Sequence, residues 1–150
     1  MKKTLRIIFS IIMVVALLFL VSFCFYGKKT LTIYTPNRSL EYRVERALTP
    51  EQQQKGLMNR KHLDPKTGMI FLFKPVRVAR MWMKDTFIPL DMVFFDSLGR
   101  VVHVHHNAVP QDLTIISSGR PVAGVLEINA GEAQQYGIGI GSTLNLGSLK

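Results

Sequence analysis

The sequence predicts a strand-rich α+β fold: a compact, mainly antiparallel sheet or barrel-like domain with two short helices, preceded by an N-terminal transmembrane helix. Three observations lead there. Short apolar or alternating runs recur along the chain with mostly turn-length linkers between them, as strands of antiparallel sheets do. Only two segments carry helix-capping residues, and no β-α-β alternation is visible. Residues 7–26 form a run of twenty residues without a charge, and about 20 apolar residues cross a bilayer as a helix.

That run has only Ser10 and Ser22 as aliphatic hydroxyl side chains and follows Lys2, Lys3 and Arg6. A cleavable signal has a shorter apolar centre, about 7 to 15 residues, and small residues at the cut. Ser22 and Cys24 are the only small pair that could serve. Residues 1–27 are therefore expected to be an uncleaved signal anchor with membrane lipid as the partner of residues 7–26. A cleaved signal, releasing a periplasmic or secreted protein, is the alternative. Val21-Ser22-Phe23-Cys24 resembles a lipoprotein box, but Phe23 stands where that box needs a small residue, which argues against lipidation of Cys24. Lys28, Lys29 and Arg38 rival the basic residues on the near side, so charge does not orient the span. A basic N-terminus leading straight into the first apolar segment is how export signals begin, and the domain is expected on the extracytoplasmic side of the cell membrane.

Nineteen basic and ten acidic residues give a net charge of +9. Without residues 1–27 the chain loses Lys2, Lys3 and Arg6 and keeps sixteen basic against ten acidic residues, or +6. The excess suits anionic lipid or envelope polymers, whereas the basic residues are too dispersed to form a nucleic-acid arm, so no nucleic-acid partner is expected. Cys24 is the sole cysteine, which excludes an intrachain disulfide. The domain must hold together by burial.

Residues 28–39 are expected to be a juxtamembrane segment and first strand, and residues 40–150 the domain proper. Residues 30–34 and 41–46 alternate apolar and polar side chains around Thr35-Pro36-Asn37-Arg38, a hairpin signal. Thr49-Pro50-Glu51-Gln52 supplies an N-cap, a proline at the first helical position and an acid in the first turn, so a helix from Pro50 to about Asn59 follows, with Leu57 and Met58 inward. His62 lies in a polar loop and reads as solvated. Residues 69–73 and 92–95 are continuous apolar runs, as in strands buried on both faces. Asp96-Ser97-Leu98-Gly99 reads as a turn into an alternating strand at 101–105. Residues 122–128 form another apolar strand containing one acid, Glu127. Asn129 can cap a helix over 130–136 that Gly137 closes, and 141–146 can return as a last strand. The core is expected to contain Leu57, Met69, Phe71, Phe73, Phe94, Leu126 and Ile128.

Residues 81–91 combine the only tryptophan with alternating apolar and ionisable side chains. In an extended strand Arg80, Trp82 and Lys84 would face one way and Met81, Met83 and Asp85 the other, before Pro89 stops regular pairing. Together with Gly56-Leu57-Met58-Asn59-Arg60, Gly68-Met69-Ile70-Phe71-Leu72-Phe73, Ile88-Pro89-Leu90-Asp91 and Val125-Leu126-Glu127-Ile128-Asn129-Ala130-Gly131, the segment Met81-Trp82-Met83-Lys84-Asp85-Thr86 closely resembles the motifs of the domain of unknown function 192 family, also called uncharacterised protein family 0127. The resemblance covers about residues 40–146. It implies a small exported or membrane-anchored prokaryotic protein with a compact strand-rich fold and no established biochemical role. The usual family form is Met-Lys-Asn-Thr, so Asp85 is a departure where a neutral amide is customary.

Lys84, Asp85, Asp91 and Glu127 are ionisable groups beside apolar segments, where burial is costly unless they are paired. Trp82, Lys84, Asp85, Thr86, Asp91 and Glu127 are accordingly expected to gather around one concave surface. Three uses stay open. A structural ion-pair network would make Asp91→Asn and Glu127→Gln destabilising. A non-catalytic envelope binding site would use Trp82 as a stacking platform for a polar ligand such as a glycan or peptidoglycan fragment. A hydrolase would draw its acid and base from two of Asp85, Asp91 and Glu127. The domain lacks a nucleophile elbow, a cysteine, a His-Glu-x-x-His helix and a phosphate loop, and no cofactor is implied. As for metal, His103 and His105 share one strand face and Met81 and Met83 another, a donor set that suits copper, although valine-flanked histidines and strand methionines are usually structural.

Overall fold

The computed structural model describes residues 28–149, so the expected anchor at residues 7–26 and Cys24 lie outside the described residues. Among the described residues no helix is long and apolar enough to cross a membrane. They form seven strands, β1 (Lys28–Tyr34), β2 (Ser39–Ala47), β3 (Thr67–Met81), β4 (Leu90–Phe95), β5 (Val101–Ala108), β6 (Ile116–Asn129) and β7 (Thr143–Leu144). Two short helices, α1 (Pro50–Lys55) and α2 (Glu132–Tyr136), and a closing 3-10 turn (Leu146–Leu149) complete the domain.

One mixed sheet runs in the order β5-β4-β6-β3-β2-β1-β7. The expected β1–β2 hairpin forms around a turn in which the Thr35 N–H donates to the Arg38 carbonyl at 2.8 Å. Pairing is antiparallel throughout except between β2 and β3, which are parallel. A parallel neighbour cannot be reached through a tight turn, and the crossover of residues 48–66 containing α1 makes that connection. The chain thus contains one β-α-β unit that its short apolar runs did not reveal.

α1 begins as expected, with Thr49 and Gln52 capping each other's backbone in a capping box. It ends at Lys55 rather than near Asn59, because Gly56 takes φ +46 and breaks the helical path. α2 starts at Glu132, and Asn129 is not its cap. Its amide instead closes the end of β6 by donating to the carbonyl of Leu63 at 3.0 Å.

The sheet curls into a half-barrel. β3 and β6 bend together through bulges, and the strands at the two edges approach each other. The Leu144 N–H donates to the Gly99 carbonyl at 2.8 Å and the Val101 N–H to the Ser142 carbonyl at 3.0 Å, which ties the β4–β5 turn to β7. A side chain at Gly99 would meet the Leu144 carbonyl at 2.1 Å, so this seam requires glycine. Inside the curl lie Leu31, Ile33, Tyr42, Val44, Ile70, Val93, Phe95, Leu126 and Ile128, covered by Ala133 of α2 and by the C-terminal turn. The outer layer holds Met69, Phe71, Phe73, Met92, Phe94 and Val125, covered by Leu57 and Leu63 after α1 and by Met83 and Ile88. All seven expected core residues are buried, five in the outer layer and two in the inner.

Candidate functional site

The strand expected across residues 80–85 stops at Met81. Beyond it the Met83 N–H donates to the Asp112 carbonyl at 2.9 Å and the Thr86 N–H to the Met83 carbonyl at 3.1 Å, bonds that turn the chain away from the ladder. Asp85 sits at φ +51, in the left-handed region that Asn and Asp enter more readily than other side chains. Its carbonyl accepts the Asn59 N–H at 2.7 Å and so fastens the loop to the segment after α1. Met83 and Thr86 point inward, while Trp82 stays 41% exposed with the Lys84 ammonium 5.5 Å from its ring centre.

Under this loop lies Glu127. On β6 it pairs with Met69 of β3 and Met92 of β4, so its carboxyl rises from the outer apolar layer and is only 4% exposed. A side chain at Gly68 would meet the Glu127 carbonyl at 2.3 Å, and that glycine lets the strands close around the acid. The carboxyl has no hydrogen-bond or ion-pair partner among the described residues. Arg60 is the cation whose field reaches it, but both arms of its guanidinium are held by Glu45 at 2.7 and 2.6 Å. Burial therefore dominates and pushes Glu127 up to about 8, with Arg60 opposing weakly. At neutral pH the group is a carboxylic acid, able both to donate and to accept a hydrogen bond.

Glu127 lines a small cavity, about 30 Å³, together with Phe71, Met81, Trp82, Lys84, Thr86 and the segment from Gln53 to Met58. A space of that size admits a single hydroxyl or similar group but no ring, because a water alone needs roughly 10 to 15 Å³. A ring would have to remain outside, against the exposed face of Trp82.

The six candidate residues do not all converge. Trp82, Lys84, Thr86 and Glu127 share the cavity; Asp85 contributes its backbone to the loop and does not line it. Asp91 is on the other face of the sheet. Met92 is the β4 residue opposite Glu127, and side chains alternate, so Asp91 stands beside Ile128 and faces the interior of the curl. There it is fully buried, with Oδ1 accepting the Asn107 N–H and Oδ2 the Ala133 N–H, each at 2.9 Å. His106 approaches it from outside at 3.9 Å. The expected pairing of Lys84 with carboxylates is likewise replaced by its contact with Trp82. An acid–base pair built from Asp91 and Glu127 is thus split by the sheet.

The four copper candidates are dispersed among other contacts. Met83 is buried in the outer layer and Met81 packs against it. His103 stacks on Phe94 with ring centres 5.5 Å apart, and burial lowers the pKa of His105. Among the described residues no group of three or more His, Cys, Asp or Glu could hold a metal ion. His62, read as solvated, is exposed beside Asp64 at 3.1 Å.

Residue-by-residue reading missed Lys55 and Met58 as cavity walls and Arg60 as the guard of Glu45. The one signal for Met58 and Arg60 was the segment Gly56-Leu57-Met58-Asn59-Arg60, which recurs in the resemblance and supplies part of the wall and the Asn59 clamp, while Lys55, just before it, had none.

The domain of unknown function 192, described as an uncharacterised ACR, matches residues 32–146. Two solved structures share the fold. One is a protein of Sinorhizobium meliloti 1021, provisionally named a transcription regulator, with 42% identity and TM-score 0.78, covering 80% of this chain and 94% of its own. The other is a protein of unknown function from Novosphingobium aromaticivorans DSM 12444, with 39% identity and TM-score 0.77, covering 79% and 84%. Among curated proteins none matches the chain.

Proposed function

The chain belongs to the domain of unknown function 192 family, and from that premise and the cavity at Glu127 we propose that it is a non-catalytic binding module of the cell envelope, tethered by residues 7–26 with its domain on the extracytoplasmic side. Its ligand is polar, such as a glycan or peptidoglycan fragment. The observation that carries this reading is the Glu127 carboxyl, buried without a partner and lining a cavity whose rim holds the chain's only tryptophan. A buried acid left unpaired costs stability, and a ligand hydroxyl entering the cavity would satisfy it while the sugar ring lies on Trp82. Two facts favour binding over hydrolysis: the second carboxylate that a hydrolase needs is absent from the cavity lining, and Asp91 is committed to two backbone donors.

The test is isothermal titration of the full chain, purified in detergent, with soluble peptidoglycan fragments. Saturable binding that Trp82→Ala removes, with its melting temperature unchanged, supports the reading. Absence of binding by the folded wild-type protein would sink it. Cell fractionation with a C-terminal tag tests the tether, since a full-length band in the soluble cytoplasm is incompatible with it.

A further inference from the structure

We propose that the cavity selects an acidic saccharide, one whose ring lies on Trp82, whose hydroxyl reaches Glu127 and whose carboxylate meets Lys84 and Lys55. The inference rests on the binding reading above and specifies its ligand. Three observations carry it. Lys55 and Lys84 both line the cavity, both are exposed, and neither has a carboxylate within ion-pair distance among the described residues. The third nearby cation, Arg60, is already neutralised by Glu45 at 2.6 Å. The Lys84 ammonium lies 5.5 Å from the Trp82 ring centre, so a ring placed on that indole brings its own substituents within reach of the lysine.

The charge balance of the site follows from these placements. Two ammonium groups without an ion-pair partner stand at the rim, Lys84 beside Trp82 and Lys55 within the field of Glu45, which Arg60 already holds, and the one acid in the lining is uncharged at neutral pH because it is buried. The site is therefore cationic, in a domain that already carries an excess of basic residues. A cationic ligand is repelled by both ammonium groups, most strongly by Lys84. A neutral sugar gains the indole and the acid but leaves both lysines as they were. An acidic sugar gains all four contacts, and long-range attraction speeds its approach.

A matched set of probes tests this: N-acetylmuramic acid, which carries a carboxylate on its lactyl ether; its methyl ester, which keeps the bulk without the charge; and N-acetylglucosamine, which lacks the lactyl group. Because Trp82 is the only tryptophan, fluorescence of the full chain in detergent, excited at the red edge where the four tyrosines do not absorb, reports on this site alone. At pH 7 and low salt the acid is expected to bind about tenfold more tightly than the ester, the sum of two exposed ion pairs. Lys84→Ala and Lys55→Ala should each narrow that gap by about threefold, and 0.5 M KCl should nearly close it in the wild-type protein. Glu127→Gln should retain the preference, since glutamine is also uncharged.

Equal binding of acid and ester would overturn the inference while leaving a sugar-binding site in place. Tighter binding of the ester would do the same. If none of the three sugars binds, the glycan reading itself falls and takes this inference with it. The salt arm keeps the test decisive even if a lysine variant does not fold.

Discussion

Replacing Glu127 with glutamine is expected to shift stability in favour of the variant progressively as the pH rises. The carboxyl is held at about 8 in the folded chain against an ordinary value of 4.5. Below 4.5 it is protonated in both folded and unfolded states and has no effect on the pH dependence. Between 4.5 and 8 the unfolded chain releases the proton while the folded chain keeps it, so stability falls as pH rises; above 8 both states are ionised and the penalty levels off. At about 1.4 kcal/mol for each pKa unit, the penalty grows by roughly 3 kcal/mol between pH 5 and pH 8. Glutamine does not titrate, and the stability difference between variant and wild type should widen by that amount over the same interval. Its amide N–H₂ is left unpaired in the apolar layer, a constant cost that shifts the difference without tilting it. Urea unfolding at pH 5 and pH 8, followed by circular dichroism, measures the quantity, and other titrating groups cancel between the two proteins. In melting temperature the widening corresponds to about 10 °C. A difference that stays flat between pH 5 and 8 would show that Glu127 is ionised and paired rather than isolated.

Other outcomes follow from the same geometry. Asp91→Ala leaves the N–H groups of Asn107 and Ala133 buried without acceptors and should cost about 2 to 5 kcal/mol in urea unfolding, with the two amides losing hydrogen-exchange protection first. Glu45→Gln breaks a half-exposed bidentate pair and should cost about 1 kcal/mol at pH 7 after allowance for solvent screening. Because Arg60 holds Glu45 below the usual carboxylate range, the wild-type advantage over this variant is present above 4.5 and should disappear as pH falls through the lowered value, which paired acid titrations of the two proteins would show. Gly124→Ala places a methyl group 2.2 Å from the Phe71 carbonyl and 2.4 Å from the Phe95 ring, and should cost about 3 kcal/mol or abolish folding; a thermal melt within 2 °C of wild type, roughly the effect of half a kcal/mol, would contradict the close strand approach.

The cavity joins three segments distant in sequence. The last turn of α1 and the stretch after it supply one wall, β3 and the loop that follows it the opposite wall and the rim, and β6 the floor. Two backbone devices hold them in register: the Asn59–Asp85 bond between wall and rim, and the glycine at position 68 that lets β3 lie close against β6 beside the acid. At position 85, where the family form has asparagine, the backbone is left-handed, and aspartate tolerates that conformation nearly as well. The departure leaves the turn intact because the contact that matters there is made by the carbonyl, not the side chain.

What the residues themselves determined is local. Alternation and apolar runs marked the strands, Thr49 and Gln52 marked the start of α1, and the seven core residues could be named because apolar side chains are driven inward wherever a strand face allows it. The parallel β2–β3 neighbours, the continuation of β3 to Met81 and of β6 back to Ile116, and the partners of each ionisable group were decided only by the tertiary structure. Asp91 and Glu127 illustrate the reason. Each looks in sequence like an acid in an apolar strand, and nothing local distinguishes them. The pairing of β4 with β6 puts Met92, not Asp91, opposite Glu127, and a side-chain period of two then sends the acids to opposite faces. One meets two backbone donors, while the other meets an arginine already bound to Glu45. Register and competition for partners are long-range properties, and they turned two similar carboxylates into a structural brace and an unpaired buried acid.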